Sequence, residues 1–373
     1  MQFHEHPHEH PHHHEHEHVL DRRSALRLGG LGLGGILLAA CAPSRSAISS
    51  TSSELATSSS AADVATTIAS STSVVTNQAT TSSTAAANQT TTSSTATVLN
   101  TLPGFDEFAS TVKVFASGEY WQVESNGLPA HNMMVGITSW QQQVPLAMTY
   151  KGSNAWQLPK KPALADNPVS AKTSLYRGAI ALAVNGVPIF NALNNRGEDA
   201  FLVGELDKWG GHCGRADDYH YHVAPLHLAT IVGSAKPIAY GLDGFAIYGS
   251  TEPDGSTMKK LDEYNGHVGT DGVYHYHGTT TYPYINGGMR GVIRGVVGDQ
   301  VDPQPSAKPI RPAGAPLQGA TITNFSSPKT GQYALEYSQS GKTGLVEYTV
   351  SDSSVAFTFT SPTGAVTTEK YTR

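Results

Sequence analysis

Hydrophobic positions divide the chain into three unlike stretches. Leu28 to Ala40 is an unbroken Gly/Leu/Ala-rich apolar run of thirteen residues. At about 1.5 Å rise per residue it is too short to cross a hydrocarbon core about 30 Å thick, so it reads as the apolar part of an export signal. From Ala42 to Gly104 there is no Phe, Tyr or Trp and no periodicity, and the only charges are Arg45, Glu54 and Asp63. Beyond Phe105 the pattern becomes short β-favouring runs broken by Gly, Pro and Asn: Thr111–Ala116, Tyr120–Ser125, Met134–Ile137, Gly178–Val184, Ile231–Val232 and Ile238–Tyr240. Long amphipathic helical stretches are missing. The expectation is a mainly β protein, with a single β-rich domain over 104–303.

The Pro-rich segment Ser306 to Pro316 reads as a linker. After it, Gly344–Ser351, Ser354–Thr360 and Ala365–Tyr371 alternate as strands do, with a turn at Pro362 to Gly364. Residues 304–373 are therefore expected to form a Pro-rich linker and a small β-hairpin or meander packed on the main domain, too short to be stable alone.

The N-terminal hundred residues read as an address and a tether. Asp21-Arg22-Arg23-Ser24-Ala25-Leu26-Arg27 has the twin-arginine arrangement, and the apolar run ends in Leu38-Ala39-Ala40-Cys41, which resembles a bacterial lipobox. This predicts a Tat-type signal peptide over 1–40, lipidation at Cys41, and export to the cell envelope or surface with the membrane as partner. Ala25 stands where a bulky apolar residue is more usual, which leaves Sec export open. Nine of the seventeen His lie between His4 and His18. Such tracts bind divalent metals, but this one precedes the cleavage site and would leave with the signal. Residues 41–103 offer too little apolar surface to offset chain entropy and are expected to be a disordered tether, its ends roughly 40 Å apart.

Charge and cysteine counts exclude several classes. The whole chain carries a net −6, and from Cys41 onward 21 basic residues face 25 acidic ones, a net −4. This is no basic nucleic-acid footprint. With Cys41 committed to the signal, Cys213 is left alone, so neither an intrachain disulfide framework nor a thiolate cluster can form.

The most informative feature is a duplication. Leu206-Asp207-Lys208-Trp209-Gly210-Gly211-His212-Cys213-Gly214 is followed by Tyr219-His220-Tyr221-His222. Fifty-five residues later stand Leu261-Asp262-Glu263-Tyr264-Asn265-Gly266-His267-Val268-Gly269 and Tyr274-His275-Tyr276-His277, in register throughout. In an extended strand, residues i and i+2 share a face about 6–7 Å apart, so each His pair lies together and the Tyr occupy the opposite face. His212 and His267 each precede their pair by eight residues, with Gly nearby to allow a return. Each repeat then offers three imidazoles, or the two pairs converge on one shared site. All-imidazole ligation suits Zn or Cu, with Fe or Ni next, and disfavours Ca and Mg. Asp207 and Asp262 are candidates for direct ligands or for acceptors that orient a His ring. The competing reading is a buried, hydrogen-bonded His/Tyr ladder without metal. Two copies with a third His at one fixed offset favour metal.

Tyr-His-Tyr-His twice, with Asp243-Gly244-Phe245-Ala246-Ile247-Tyr248-Gly249 between the copies, resembles the YHYH-domain family of exported proteins. Ser125-Asn126-Gly127-Leu128-Pro129-Ala130-His131, Asn185-Gly186-Val187-Pro188, Leu261-Asp262-Glu263 and Tyr282-Pro283-Tyr284 support the resemblance, which covers about residues 120–295. The family is described without an established activity, so the resemblance implies a domain and no reaction. Its members often carry Cys near the positions of Tyr264 and Gly288, and the joint absence of both implies a dispensable disulfide.

His131, in a turn-like segment, is a candidate seventh ligand or base. His227 lies outside the repeat, and Cys213 is either a ligand beside the His or simply buried. Asp243 to Gly249 reads as a turn entering a core strand. Beyond the apolar run Leu28–Ala40, no Gly-x-Ser-x-Gly elbow, P-loop or dinucleotide fingerprint occurs. Two functions remain. One is an extracytoplasmic metal-binding module for capture, delivery or surface attachment. The other is a metalloenzyme, a Zn hydrolase or a Cu/Fe oxidoreductase, on the same histidines. The absence of a separate acid/base pair favours the binding module, and a small-molecule or protein partner stays open.

Overall fold

The computed structural model describes residues 102–373, and it is mainly β, as the sequence pattern predicts. The expected signal and tether, with the His4–His18 tract and Cys41, fall in residues 1–101, outside the described residues. No described helix is long and apolar enough to cross a membrane.

At the centre is an eight-stranded sheet made of four hairpins. In sheet order its strands are Gly266–Val268, Tyr274–His277, Ala246–Tyr248, Ala239–Gly241, Ala179–Ala183, Pro188–Phe190, Tyr219–Tyr221 and Gly211–Cys213. The middle strand, Ala-Ile-Ala-Leu-Ala, is buried along its whole length. A continuous apolar run of this kind suits a strand covered on both faces. The order is symmetric about the antiparallel pair Ala179–Ala183 and Ala239–Gly241. On each side, a hairpin is followed by a parallel step, Ile189 beside Tyr221 and Ile247 beside Tyr276, and then by an edge hairpin carrying the duplicated motif.

The duplication is therefore longer than the sequence motif shows. Asn185-Gly186, Ile189, Phe190 and Asn191 hold the places of Asp243-Gly244, Ile247, Tyr248 and Gly249, at a constant offset of 58 residues. The edge hairpins follow at 55, because the first connection is three residues longer.

A three-stranded antiparallel sheet precedes this core (Lys113–Ser117, Tyr120–Glu124, Trp156–Pro159), and two short two-stranded pairs flank it. The C-terminal extension is a five-stranded antiparallel meander: Ala320–Lys329, Gln332–Gln339, Lys342–Val350, Ser354–Thr360 and Val366–Thr372. It is docked by the Tyr348 hydroxyl, which donates to the Pro145 carbonyl at 2.7 Å. The Pro-rich segment before it carries Arg311, whose guanidinium donates to both oxygens of buried Asp217 at 2.7 Å each. Such a planar two-point pair fixes orientation as well as distance.

Two expected strands are absent. Met134–Ile137 forms turns, because the Met134 N–H is drawn to Asp207 Oδ2 (2.8 Å) with Met134 itself at φ 69°. Ile231–Val232 falls within the short helix Ala229–Val232, where the Thr230 hydroxyl bonds the His227 carbonyl and Gly233 ends the turn at φ 84°.

Candidate metal centres

The two faces of the duplicated motif do different things. Residues paired across neighbouring strands point to one face. Tyr221, Ile189, Ala181 and Gly241 are linked this way, as are Ala239, Ile247 and Tyr276 on the same side. All four motif Tyr thus face one side of the sheet and all four motif His the other.

The Tyr side is an anchor. Tyr219 donates its hydroxyl to Asp207 (2.8 Å) and Tyr274 to Asp262 (3.0 Å). The same carboxylates accept turn amides, from Met134, Trp209 and Gly211 at Asp207 and from Tyr264 and Gly266 at Asp262. Their oxygens are committed to the turn and the Tyr, and among the described contacts neither bonds a His. The sequence expectation that they ligate metal or orient an imidazole is corrected accordingly. Burial raises the pKa of Asp207 while its hydrogen bonds oppose the rise.

The Gly before each loop His has a steric cause. A Cβ on Gly211 would collide with the Tyr219 hydroxyl, and one on Gly266 with the Tyr274 hydroxyl. Only Gly lets the Tyr ring cross the neighbouring strand to its Asp.

On the opposite face the His form two compact triads. In the first, His212, His220 and His222 have ring centroids 4.8–5.0 Å apart. In the second, His267, His275 and His277 lie 4.5–5.3 Å apart. Five strand spacings separate the two Tyr-His-Tyr strands, about 24 Å. The alternative of one shared site is thereby removed: each triad is a separate centre.

Hydrogen bonds to backbone carbonyls orient the rings. His222 Nδ1 meets the Asn191 carbonyl and His277 Nδ1 the Gly249 carbonyl (2.8 Å), which are equivalent positions of the two repeats. His220 Nδ1 bonds the Asp218 carbonyl (3.0 Å) and His267 Nδ1 the Val268 carbonyl (3.1 Å). A ring that donates through Nδ1 keeps a bare Nε2 lone pair when neutral. His222 Nε2 lies 3.1 Å from His212 Nε2, and His277 Nε2 lies 3.3 Å from His267 Nε2 and 3.1 Å from His275 Nε2.

The second centre also has a carboxylate that the sequence reading missed. Glu252 Oε1 lies 2.9 Å from His267 Nε2, and Oε2 lies 3.3 Å from His275 Nε2 and 3.8 Å from His277 Nε2. Glu252 and the three His fall within one ligand-sized group, as do the three His of the first centre. Nitrogens of one ion bound at about 2.0–2.1 Å stand about 3–4 Å apart, and the observed spacings fit that donor set.

Burial disfavours protonation at both centres. It holds His212 well below the ordinary imidazole value and lowers His222 to about 3, with His220 adding repulsion in each case. It lowers His275 and His277 as well. Burial works to raise Glu252, but the Lys259 amide and the three His carry it below the usual carboxylate range.

The remaining candidates lie elsewhere. His131 is on the Tyr side: its Nε2 meets the Tyr221 hydroxyl at 2.7 Å, and its ring stacks on Trp209 at 4.7 Å. It belongs to neither triad. Cys213 pairs with Tyr219 in register, is buried, and burial pushes its thiol well above its ordinary value. A thiol kept protonated in this way is a poor nucleophile and a poor metal ligand.

His227 packs edge-on to His131 at 5.1 Å, and burial, then His131, lowers it to about 4. A folded-state value below the unfolded value of about 6.5 means that the unfolded chain takes up the proton first as pH falls. Stability is then intact above about 6.5 and is lost through the window down to about 4. Metal-free protein should show a Tm that is level above pH 7 and falls below 6.5, with a shallower fall in His227→Phe. An equal slope in the variant would refute this assignment.

No curated protein and no solved structure matches the chain. The family model described as YHYH protein matches residues 155–260, a stretch that takes in His212, His220, His222 and Glu252 and stops short of His267. That match supports a YHYH domain in this chain over residues 155–260.

Proposed function

We propose that this protein binds transition metal, Zn or Cu, at two separate mononuclear centres, and that it is exported and held to a membrane by lipid on Cys41. The observation that carries the metal reading is the convergence of Nε2 atoms whose rings are already committed through Nδ1. His267 and His277 both spend Nδ1 on backbone carbonyls and set their Nε2 atoms 3.3 Å apart. Two bare lone pairs at that distance repel unless a cation lies between them. One proton can bridge one pair, but a ladder of hydrogen bonds does not bring three nitrogens and a carboxylate oxygen to a single point. Imidazole and carboxylate donors in a four-membered set suit Zn or Cu over Ca or Mg.

Elemental analysis of protein purified natively from the exported fraction tests the reading. It should contain two equivalents of one metal per chain, and its intact mass should begin at an acylated Cys41. Protein that stays metal-free in micromolar Zn and Cu would refute the first claim, and a mature chain that keeps His4–His18 the second.

A further inference from the structure

The two centres differ in the loop that approaches each triad, and Asp218, 3.6 Å from His220 Nδ1, is replaced by Val273 in the second repeat. The loops that follow Phe190 and Tyr248 have the same backbone form. Leu193 bridges Asp199 as Thr251 bridges Thr257. The Asn194 N–H bonds the Glu198 carbonyl (2.8 Å) as the Glu252 N–H bonds the Ser256 carbonyl (3.1 Å), and Gly197 and Gly255 close the turns onto the carbonyls of Asn194 and Glu252 at 2.9 Å. Asn194 is therefore the counterpart of Glu252. Its amide is fully engaged: Nδ2 donates to Glu198 and Glu205 at 3.2 Å each, and Oδ1 accepts the amides of Arg196 and Glu198. The carboxylate that completes the second centre has no equivalent at the first.

The first triad instead opens into a cavity of about 840 Å³ whose wall includes Arg177, Arg196, Arg215 and Glu205. Arg196 is spent on Glu198 and Glu205. Arg177 and Arg215 are exposed and have no ion-pair partner among the described residues. On a chain of net charge −6, the two uncommitted guanidiniums of Arg177 and Arg215 give this wall a local positive charge that favours anions. Trp140, Ile137 and Phe190 supply an apolar side to the same space. Four protein ligands make a closed structural site, and three leave a position for an exogenous ligand.

We infer that the first centre is the working one, and that it takes a small anion whose phosphate or carboxylate oxygen fills the position that Glu252 occupies at the second. Arg177 and Arg215 meet the remaining negative charge. The inference rests on the two-centre metal reading proposed above.

Cobalt-loaded protein separates the two claims. Elemental analysis before any anion is added should give two Co per chain; fewer would defeat the metal reading itself and the inference with it. Titration with inorganic phosphate, and separately with acetate, should then change the visible spectrum of one Co only. Asn194→Glu should keep both ions and lose the response to either probe, while Glu252→Asn should add a second responding equivalent. Arg177→Ala with Arg215→Ala, both at exposed positions, should weaken the responding probe by roughly tenfold at unchanged metal content. Two bound Co with no response to either probe, or a response that survives Asn194→Glu in folded, fully loaded protein, would overturn the inference.

Discussion

His277→Ala should lower Tm by about 10 °C in metal-replete buffer and reduce bound metal from two equivalents per chain to one. His277 is the most buried ligand of the second centre, at 0% exposure, and its Nε2 faces both other His of that centre. An ion that binds only the folded chain, present at a thousand times its Kd, stabilises by about 4 kcal/mol. For a domain of this size each kcal/mol moves Tm by about 2–4 °C. The substitution also leaves the Gly249 carbonyl without its imidazole donor and Glu252 as a buried carboxylate without a cation. Chelator supplies the control: it should cost the wild type about 10 °C more than it costs the variant, because only the wild type has the second centre's ion to lose. Calorimetry and elemental analysis on the same samples decide it. A variant that keeps two ions, or melts with the wild type in replete buffer, would defeat the assignment of a closed, stabilising second centre.

How much of this was legible in the sequence depends on which residues carry the repeat. The edge hairpins were legible because their chemistry needs identical residues: Gly beneath a crossing Tyr ring, Asp to hold that ring, and His at i and i+2. The inner hairpins were not, since Asn185-Gly186-Val187-Pro188-Ile189-Phe190-Asn191 and Asp243-Gly244-Phe245-Ala246-Ile247-Tyr248-Gly249 share only Gly and Ile by identity. A buried strand needs apolar volume rather than particular residues, and the three-residue difference in the next connection breaks the register of a simple comparison. Asp207 and Asp262 were visible as members of the motif, but spacing alone does not tell a carboxylate that caps a turn from one that faces an imidazole. Glu252 gave no signal: it stands fifteen residues before His267, and only the shared turn of the two loops brings it to the centre. Met134–Ile137 looked like a strand because its apolar content is high, yet a single amide bound to Asp207 directs it into a turn.

The duplication also shows how one scaffold carries two different sites. The elements that hold the rings are kept in both halves: the Asp–Tyr anchor, the Gly under it, and the carbonyl at Asn191 or Gly249 that takes Nδ1. The change falls on a loop residue, Asn194 against Glu252, where no strand pairing constrains the choice. Loops placed by a rigid sheet are where such divergence costs the fold least. Glu252→Asn should accordingly leave the sheet intact while altering only the second centre.

Asp243→Ala should destabilise the domain by about 4 kcal/mol, within the range of about 3–5 kcal/mol for breaking a buried charged network. Asp243 is at 0% exposure, accepts the Tyr276 hydroxyl, and takes the amides of Gly291 (2.8 Å) and Phe245 (3.3 Å), so it ties the central sheet to the flanking strand Gly288–Gly291. Truncation leaves all three donors buried without an acceptor. Asn is present at the equivalent Asn185, but there the bonding runs differently. Asn185 Nδ2 donates to the Tyr221 hydroxyl (3.1 Å), with His131 Nε2 at 2.7 Å available to accept the hydroxyl proton. Tyr276 instead already accepts the Arg290 N–H (2.8 Å) and gives its own proton to Asp243. Asp243→Asn should thus cost about 1–2 kcal/mol, less than Ala but not nothing. Burial also raises the pKa of Asp243, with Tyr276 and the amides opposing. The folded chain therefore holds the proton longer than the unfolded chain, and stability falls as pH rises from about 3.9 through the raised folded value. That slope should be missing in Asp243→Asn. Urea unfolding of both variants across pH 4 to 8 reads the two effects together, and an Asp243→Ala variant within 1 kcal/mol of wild type would show that the network does not carry the sheet.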